Sequence, residues 1–179
     1  MASRLCALTV GLLISAHACA VPPLYEQIAR QQRVPAELLY AVARSESGTR
    51  LAQGLHPWPW TLNIAGTGYH YPNRSSACRA LLDFARTRTR SLKRIDAGLG
   101  QINLGWNGHW FPSLCASFDP AGNLTVTALL LRQHYNAFPG SWLDAAARYH
   151  HPAGGKPAAV YRQKIDQQIR LLSASGTSP

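Results

Sequence analysis

The stretch Leu38-Leu39-Tyr40-Ala41-Val42-Ala43-Arg44-Ser45-Glu46-Ser47-Gly48 decides how the rest of the chain is read. Pro35 is suited to open a helix, and Leu38, Leu39 and Val42 recur at helical spacing on its inner side. Gly48 is a stop just past the last turn. Glu46 lies four positions beyond Val42, so it prolongs the inward face at the helix end. A carboxyl group that borders both core and solvent is in the setting where a general acid keeps its proton. The competing reading is a surface glutamate at a helix end.

Composition makes that glutamate more conspicuous. The 179 residues carry 18 Lys plus Arg against 8 Asp plus Glu, a formal net charge of +10. Hydrophobic residues make up 46% and charged residues 15%, which fits one globular domain and argues against wholesale disorder or a collagen-like repeat. Carboxylate chemistry must draw on Glu26, Glu37, Glu46 and five aspartates.

The N-terminus reads as a cleaved secretory signal. Arg4 precedes an apolar run from Leu5 to Ile14, and Ala18-Cys19-Ala20 supplies small residues at the cleavage positions. The run is too short for a membrane anchor, which must cross a core of about 30 Å. A lipid-modified Cys19 is the weaker alternative. Removing residues 1–20 leaves 17 basic and 8 acidic groups, net +9, with Cys78 and Cys115 as the remaining cysteines. An exported chain with two cysteines invites a disulfide between them, and their spacing does not suit a zinc site. These features place the chain in the periplasm, with no stable membrane span.

The pattern gives a mainly α domain over residues 21–173 and a flexible tail over 174–179. A helix is expected over 23–32, behind Pro22-Pro23. Residues 49–73 are rich in Trp, Tyr, Gly and Pro. Trp60 to Ile64 reads as a strand that turns through Gly66-Thr67-Gly68 into Tyr69-His70-Tyr71, a small β-hairpin insertion. Ser75 or Ser76 is the expected cap of a helix to about residue 92, with Leu81, Leu82, Ala85 and Leu92 as its apolar members. Arg86, Arg88, Arg90, Lys93 and Arg94 make its far part basic. Asn123 is the expected cap of the next helix, which carries Val126, Leu129, Leu130 and Tyr135. A short helix over 142–149 and a last one with Val160, Ile165, Ile169 and Leu172 facing inward complete the chain.

Two further clusters carry chemistry. In Asp96-Ala97-Gly98-Leu99-Gly100-Gln101-Ile102-Asn103 the glycines permit close backbone approach, and Gln101 and Asn103 can offer amides to a neutral polar ligand. A tight loop leading into a packed Ile102 is the structural alternative. In Ala145-Ala146-Ala147-Arg148-Tyr149-His150-His151-Pro152, Tyr149 can donate into a cleft. Adjacent His150 and His151 rarely converge on one ion, so no metal site and no cofactor are expected. Trp58, Trp60 and Tyr69 either stack on sugar faces or pack the hairpin.

Taken in order, Glu46-Ser47, Gly98-Leu99-Gly100-Gln101 and Ala146 to Tyr149 resemble the signature of the lytic transglycosylases with a lysozyme-like fold, the goose-type lysozyme or SLT domain. In that family a Glu-Ser pair ends a helix, a Gly-Leu-x-Gln loop follows, and an Ala-x-x-Tyr-Asn segment closes the cleft. The gap filled by Pro57-Trp58-Pro59-Trp60-Thr61-Leu62-Asn63 and the basic helix resembles the subgroup associated with conjugative transfer and type IV secretion. The resemblance covers about residues 22–172. Gly100 stands where Met is usual, which removes bulk and is expected to widen the cleft, and His150 stands where Asn is usual.

The resemblance implies a mainly α, lysozyme-like domain that cleaves the peptidoglycan glycan strand between N-acetylmuramic acid and N-acetylglucosamine. Glu46 is then the catalytic acid and base, and 1,6-anhydromuramyl ends are the product. Substrate-binding roles fall to Ser47, Trp58, Trp60, Gln101, Asn103 and Tyr149, with Ser47 a hydrogen-bonding residue rather than a nucleophile. An envelope-spanning secretion or conjugation apparatus is the implied partner. A hydrolytic muramidase using Asp96 as second carboxylate is one alternative. A non-catalytic basic module that binds wall or nucleic acid is another, although a signal peptide speaks against nucleic acid.

Overall fold

The computed structural model describes residues 21–52, 54–87 and 92–175. The expected signal sequence over 1–20, Arg88, Arg90 and residues 176–179 lie outside them. The described chain is mainly helical, with two small open β-sheets.

Helix α1 (Pro23–Gln32) starts with proline in its first turn and ends at Arg33, whose φ of 54° is left-handed. Helix α2 (Ala36–Ser47) follows at once. Leu38 to Ala43 are all buried, because helices close on it from several sides. These are α1, α5 (Pro120–Ala137), α6 (Trp142–His150) and α7 (Gly155–Ser175). Leu38, Leu39, Leu124, Leu131, Ala146 and Ile165 are central to this first core.

The second core forms against a sheet. Strands β1 (Gly48–Leu51) and β2 (Gly54–Pro57) make a separate hairpin directly after α2. Strands β3 (Thr61–Ile64), β4 (Thr67–His70), β5 (Ile95–Ala97) and β6 (Ile102–Asn103) form an antiparallel sheet in the order β4-β3-β5-β6. The expected hairpin is therefore one half of a four-stranded sheet. Its turn is Ala65-Gly66, both at positive φ, as a two-residue hairpin turn with the strand twist requires. Helix α3 (Arg74–Thr87) packs on the sheet through Ala77 and Leu81. Leu82, Ala85 and Leu92 are only partly buried. The cap of α3 is Asn73, whose Oδ1 accepts from the Ser76 amide, rather than a serine. Cys78 on α3 is bonded to Cys115, with Cα atoms 5.1 Å apart.

Register sorts the sheet by chemistry. Leu62 pairs with Ala97, and Ala97 with Ile102, and all three are buried. One residue along, Asn63 pairs with Asp96, and Asp96 with Asn103. Neighbouring residues of a strand face opposite ways, so the first row enters the core and the second forms a polar row on the other face.

Two further expectations are corrected. Asp119, not Asn123, caps α5, because its Oδ2 accepts from the Gly122 amide at 2.8 Å. Val160 is 58% exposed, while Ala158 and Tyr161 are buried. The inward stripe of α7 runs through Tyr161, Ile165 and Leu172, and Val160 falls one position out of phase. That helix also reaches Ser175, two residues into the expected tail.

Candidate active site

A cleft of about 600 Å³ lies on the seam between the two cores. The α2 end supplies Glu46. The polar row of the sheet supplies Asn63, Asp96 and Asn103, and the loop between β5 and β6 supplies Gln101. Tyr149 and His150 at the end of α6 close it from the helical side, and Trp106 stands at its edge. The three motif clusters of the sequence thus meet at one place.

Glu46 keeps only 15% of its side chain exposed, and its Oε1 is buried without a hydrogen bond. The nearest cation-forming group is His150, with Nδ1 3.6 Å from Oε1. The His150 ring lies flat on Tyr161, with centroids 4.2 Å apart and planes 6° off parallel. The Tyr161 hydroxyl is also buried without a partner. Burial, followed by the charge of Glu46, pushes its pKa well up. Burial and then Glu46 act in the same direction on Tyr149. Both phenols therefore remain donors, and a phenol facing a carboxylate favours the arrangement without competing for its charge.

The backbone behind the cleft is tightly held. The Ser47 hydroxyl is buried and donates to the carbonyls of Ala43 at 3.0 Å and Leu99 at 2.8 Å, tying the α2 end to the glycine loop. Tyr149 donates to the Gly100 carbonyl. The buried Asn123 accepts from the Gly100 amide at 2.8 Å and donates to the carbonyls of Ala97 and Ser117. Gly98 has a φ of 80°, and a Cβ there would collide with Asn123. A Cβ on Gly100 would collide with the Thr127 hydroxyl and crowd Tyr149. The expected widening of the cleft at Gly100 does not occur, because Thr127 and Tyr149 fill the space.

Gln101 has a φ of 49°, and its Nε2 donates to Gly98 and Thr61 carbonyls at 2.8 and 3.2 Å. Asn103 donates to Asp96 and to the Lys93 carbonyl, both at 2.8 Å. Its Oδ1 caps α4 (Leu104–Asn107) by accepting from Gly105 and Trp106. That cap presents Trp106, which is 64% exposed, with Lys93 Nζ 3.7 Å from its ring centroid. Burial pushes the Asp96 carboxyl up, opposed by its bond from Asn103, and Glu46 adds to the rise.

Glu46, Gln101, Asn103 and Tyr149 thus share the cleft, whereas Ser47, Trp58 and Trp60 do not line it. Ser47 braces the loop from behind. Trp58 donates to the Tyr71 carbonyl at 2.7 Å and meets Trp60 edge-on, so these indoles pack the hairpin. Among the described residues, no three His, Cys, Asp or Glu side chains gather into a metal site. Sequence reasoning missed Asn63, Trp106, Asn123 and Tyr161. Strand alternation beside buried Leu62 could have revealed Asn63, and the spacing from Ile165 could have revealed Tyr161.

Comparison with protein-family models, with curated proteins and with solved structures finds no match to this chain.

Proposed function

We propose that this chain is a peptidoglycan lytic transglycosylase with a lysozyme-like fold. The observation that carries the reading is Glu46: a mostly buried carboxyl at a helix end, with His150 3.6 Å from it, facing a cleft with amides on one wall and an exposed indole at its edge. Neutral amides suit acetamido and hydroxyl groups, and an indole face suits the apolar face of a pyranose. The order of the three sequence motifs points the same way.

In this scheme Glu46 gives its proton to the glycosidic oxygen as the bond to muramyl C1 breaks. The C6 hydroxyl of the same sugar attacks C1, and the Glu46 carboxylate takes the hydroxyl proton. A 1,6-anhydromuramyl end and a free N-acetylglucosamine hydroxyl result, and Glu46 is again protonated. The nucleophile belongs to the substrate, so proximity replaces a water-activating base. Tyr161 and His150 orient the carboxyl, and the Ser47, Tyr149 and Asn123 bonds hold the loop opposite it.

Asp96 supports a second reading, hydrolysis by two carboxylates, because it lies in the same cleft. Asp96 Oδ1 already accepts from Asn103, whose own oxygen caps α4, and this place in the polar row accounts for the carboxylate without a catalytic role and favours the single-acid route.

The working place on this reading is the periplasm, where local wall opening serves a conjugation, pilus or secretion apparatus. No helix among the described residues is long and apolar enough to cross a membrane. A zymogram on purified peptidoglycan tests the assignment. Wild type clears the gel, and E46Q, with an unchanged melting temperature, loses activity about 10²- to 10⁴-fold, the usual worth of a general acid. Equal clearing by E46Q would overturn it.

A further inference from the structure

The disulfide and the cleft are joined through one short turn. Cys115 lies in the 3₁₀ turn Leu114–Phe118, and its bond to Cys78 ties that turn to α3. Two residues on, the Ser117 carbonyl accepts from Asn123 Nδ2 at 2.8 Å, and Asn123 Oδ1 accepts from the Gly100 amide at 2.8 Å. The same Ser117 carbonyl abuts Gly98 so closely that a Cβ there would stand 2.6 Å from it. The turn is therefore the floor on which the loop between β5 and β6 rests. On its other side, Arg74 of α3 donates to the Cys115 carbonyl at 3.3 Å and lies 3.9 Å from Asp119. Both contacts are exposed and weak in water, which leaves the covalent bond as the strongest single tie between turn and α3. Both cysteines are half-buried rather than sealed in the core, so thiol exchange can reach them.

Resting on the reading above, we propose that Cys78–Cys115 is a redox switch for the site. Oxidised, the pair seats the turn, and the loop carrying Gln101 keeps its place in the cleft. Reduced, the turn loosens, Asn123 loses the Ser117 carbonyl, and the loop relaxes. The helical core contains neither cysteine and stays folded. Opening the bond takes two electrons and two protons from a dithiol, which leaves as its own disulfide; closing it returns them to a disulfide-bearing oxidant. Thiols stay reduced in the cytoplasm and pair in oxidising compartments, so on the periplasmic reading wall cutting starts only after export.

The test compares three forms at a temperature where circular dichroism shows each folded: oxidised wild type, wild type reduced with dithiothreitol, and C78A/C115A. Amide NMR spectra need no catalysis. The Gly100 backbone and Asn123 side-chain signals are expected to shift or broaden in both forms without the bond, while Leu39 and Val42 in α2 keep theirs. The rate of peptidoglycan cleavage should fall about tenfold or more, as displacement of a site group predicts. Oxidised glutathione should restore reduced wild type, and C78A/C115A should respond to neither reagent. Unchanged Gly100 and Asn123 signals, equal change throughout the chain, or full activity without the bond would each overturn the proposal. Global unfolding of both forms would overturn it too, because a switch needs a folded reduced state. Failure of the Glu46 assignment shows itself separately, as wall cleavage that survives E46Q or is absent from oxidised wild type, and it leaves the NMR result standing.

Discussion

Glu46 is placed by one turn of helix: Val42 fixes the inward face, and the chain leaves the helix two residues after the carboxylate. Gly100 is equally specific for the opposite reason, the absence of a side chain. G100A is expected to destabilise the fold by about 1–3 kcal/mol through overpacking, measured by chemical denaturation. Combined with T127A, the cost should be less than the sum of the two single changes, because the colliding hydroxyl is gone. Strict additivity would contradict the packing account. This residue also marks a limit of the sequence. A glycine replacing a larger residue reads as empty space until Thr127, 27 positions away, is seen to fill it.

Asp96 makes a pH prediction at the same scale. Its pKa is raised in the folded chain, so folding holds its proton to higher pH than the unfolded chain does. Its contribution to stability is therefore fully present below the ordinary carboxylate value of about 4 and declines as pH rises through the folded value. D96N removes that decline. Denaturation midpoints across mildly acidic pH should show D96N gaining on wild type as pH rises, whereas a constant difference would contradict the burial of this group.

Among the elements, the loop between β5 and β6 carries the site, and α5 carries the loop. The Asn123 amide makes three hydrogen bonds from the first turns of α5, two of them to the segment from Ala97 to Gly100. N123A leaves buried backbone groups unpaired, and a loss of about 3 kcal/mol is expected by thermal or chemical denaturation. Faster amide exchange at Gly100 should accompany it. An N123A protein with wild-type stability and exchange would show that the loop holds itself. From the sequence, Asn123 passes for a helix cap because asparagine favours that position, and only the fold shows its side chain turned into the core. The α1 and α2 spans were legible because proline and a repeated apolar face mark them. Strands β5 and β6 were not, since three and two residues are too few to display a period.

At the scale of the molecule, two cores meet at the cleft, and Tyr149 packs against both. Motion of one core against the other would therefore change the distance from Glu46 to Asp96, Asn63 and Asn103. The Cys78–Cys115 bond constrains the sheet-side core, across 37 positions of sequence. C78S/C115S should lower stability by about 4 kcal/mol in the chain-entropy model, read as a lower denaturation midpoint. An unchanged midpoint would mean that α3 and the turn at Leu114–Phe118 dock without it. The disulfide was readable from the cysteine count together with the expected export signal, and the mainly helical class from periodicity. The seam itself was not, because it depends on how the cores pack. The net charge of +10 suits the proposed work against an anionic wall.

On the proposed mechanism one glutamate suffices, because the substrate supplies its own nucleophile. Mass spectrometry of the products released from purified peptidoglycan tests it most directly. Wild type is expected to release muropeptides ending in 1,6-anhydromuramic acid, one water lighter than hydrolysis products, and E46Q none of them. Reducing muramic acid ends from the wild-type protein would contradict it.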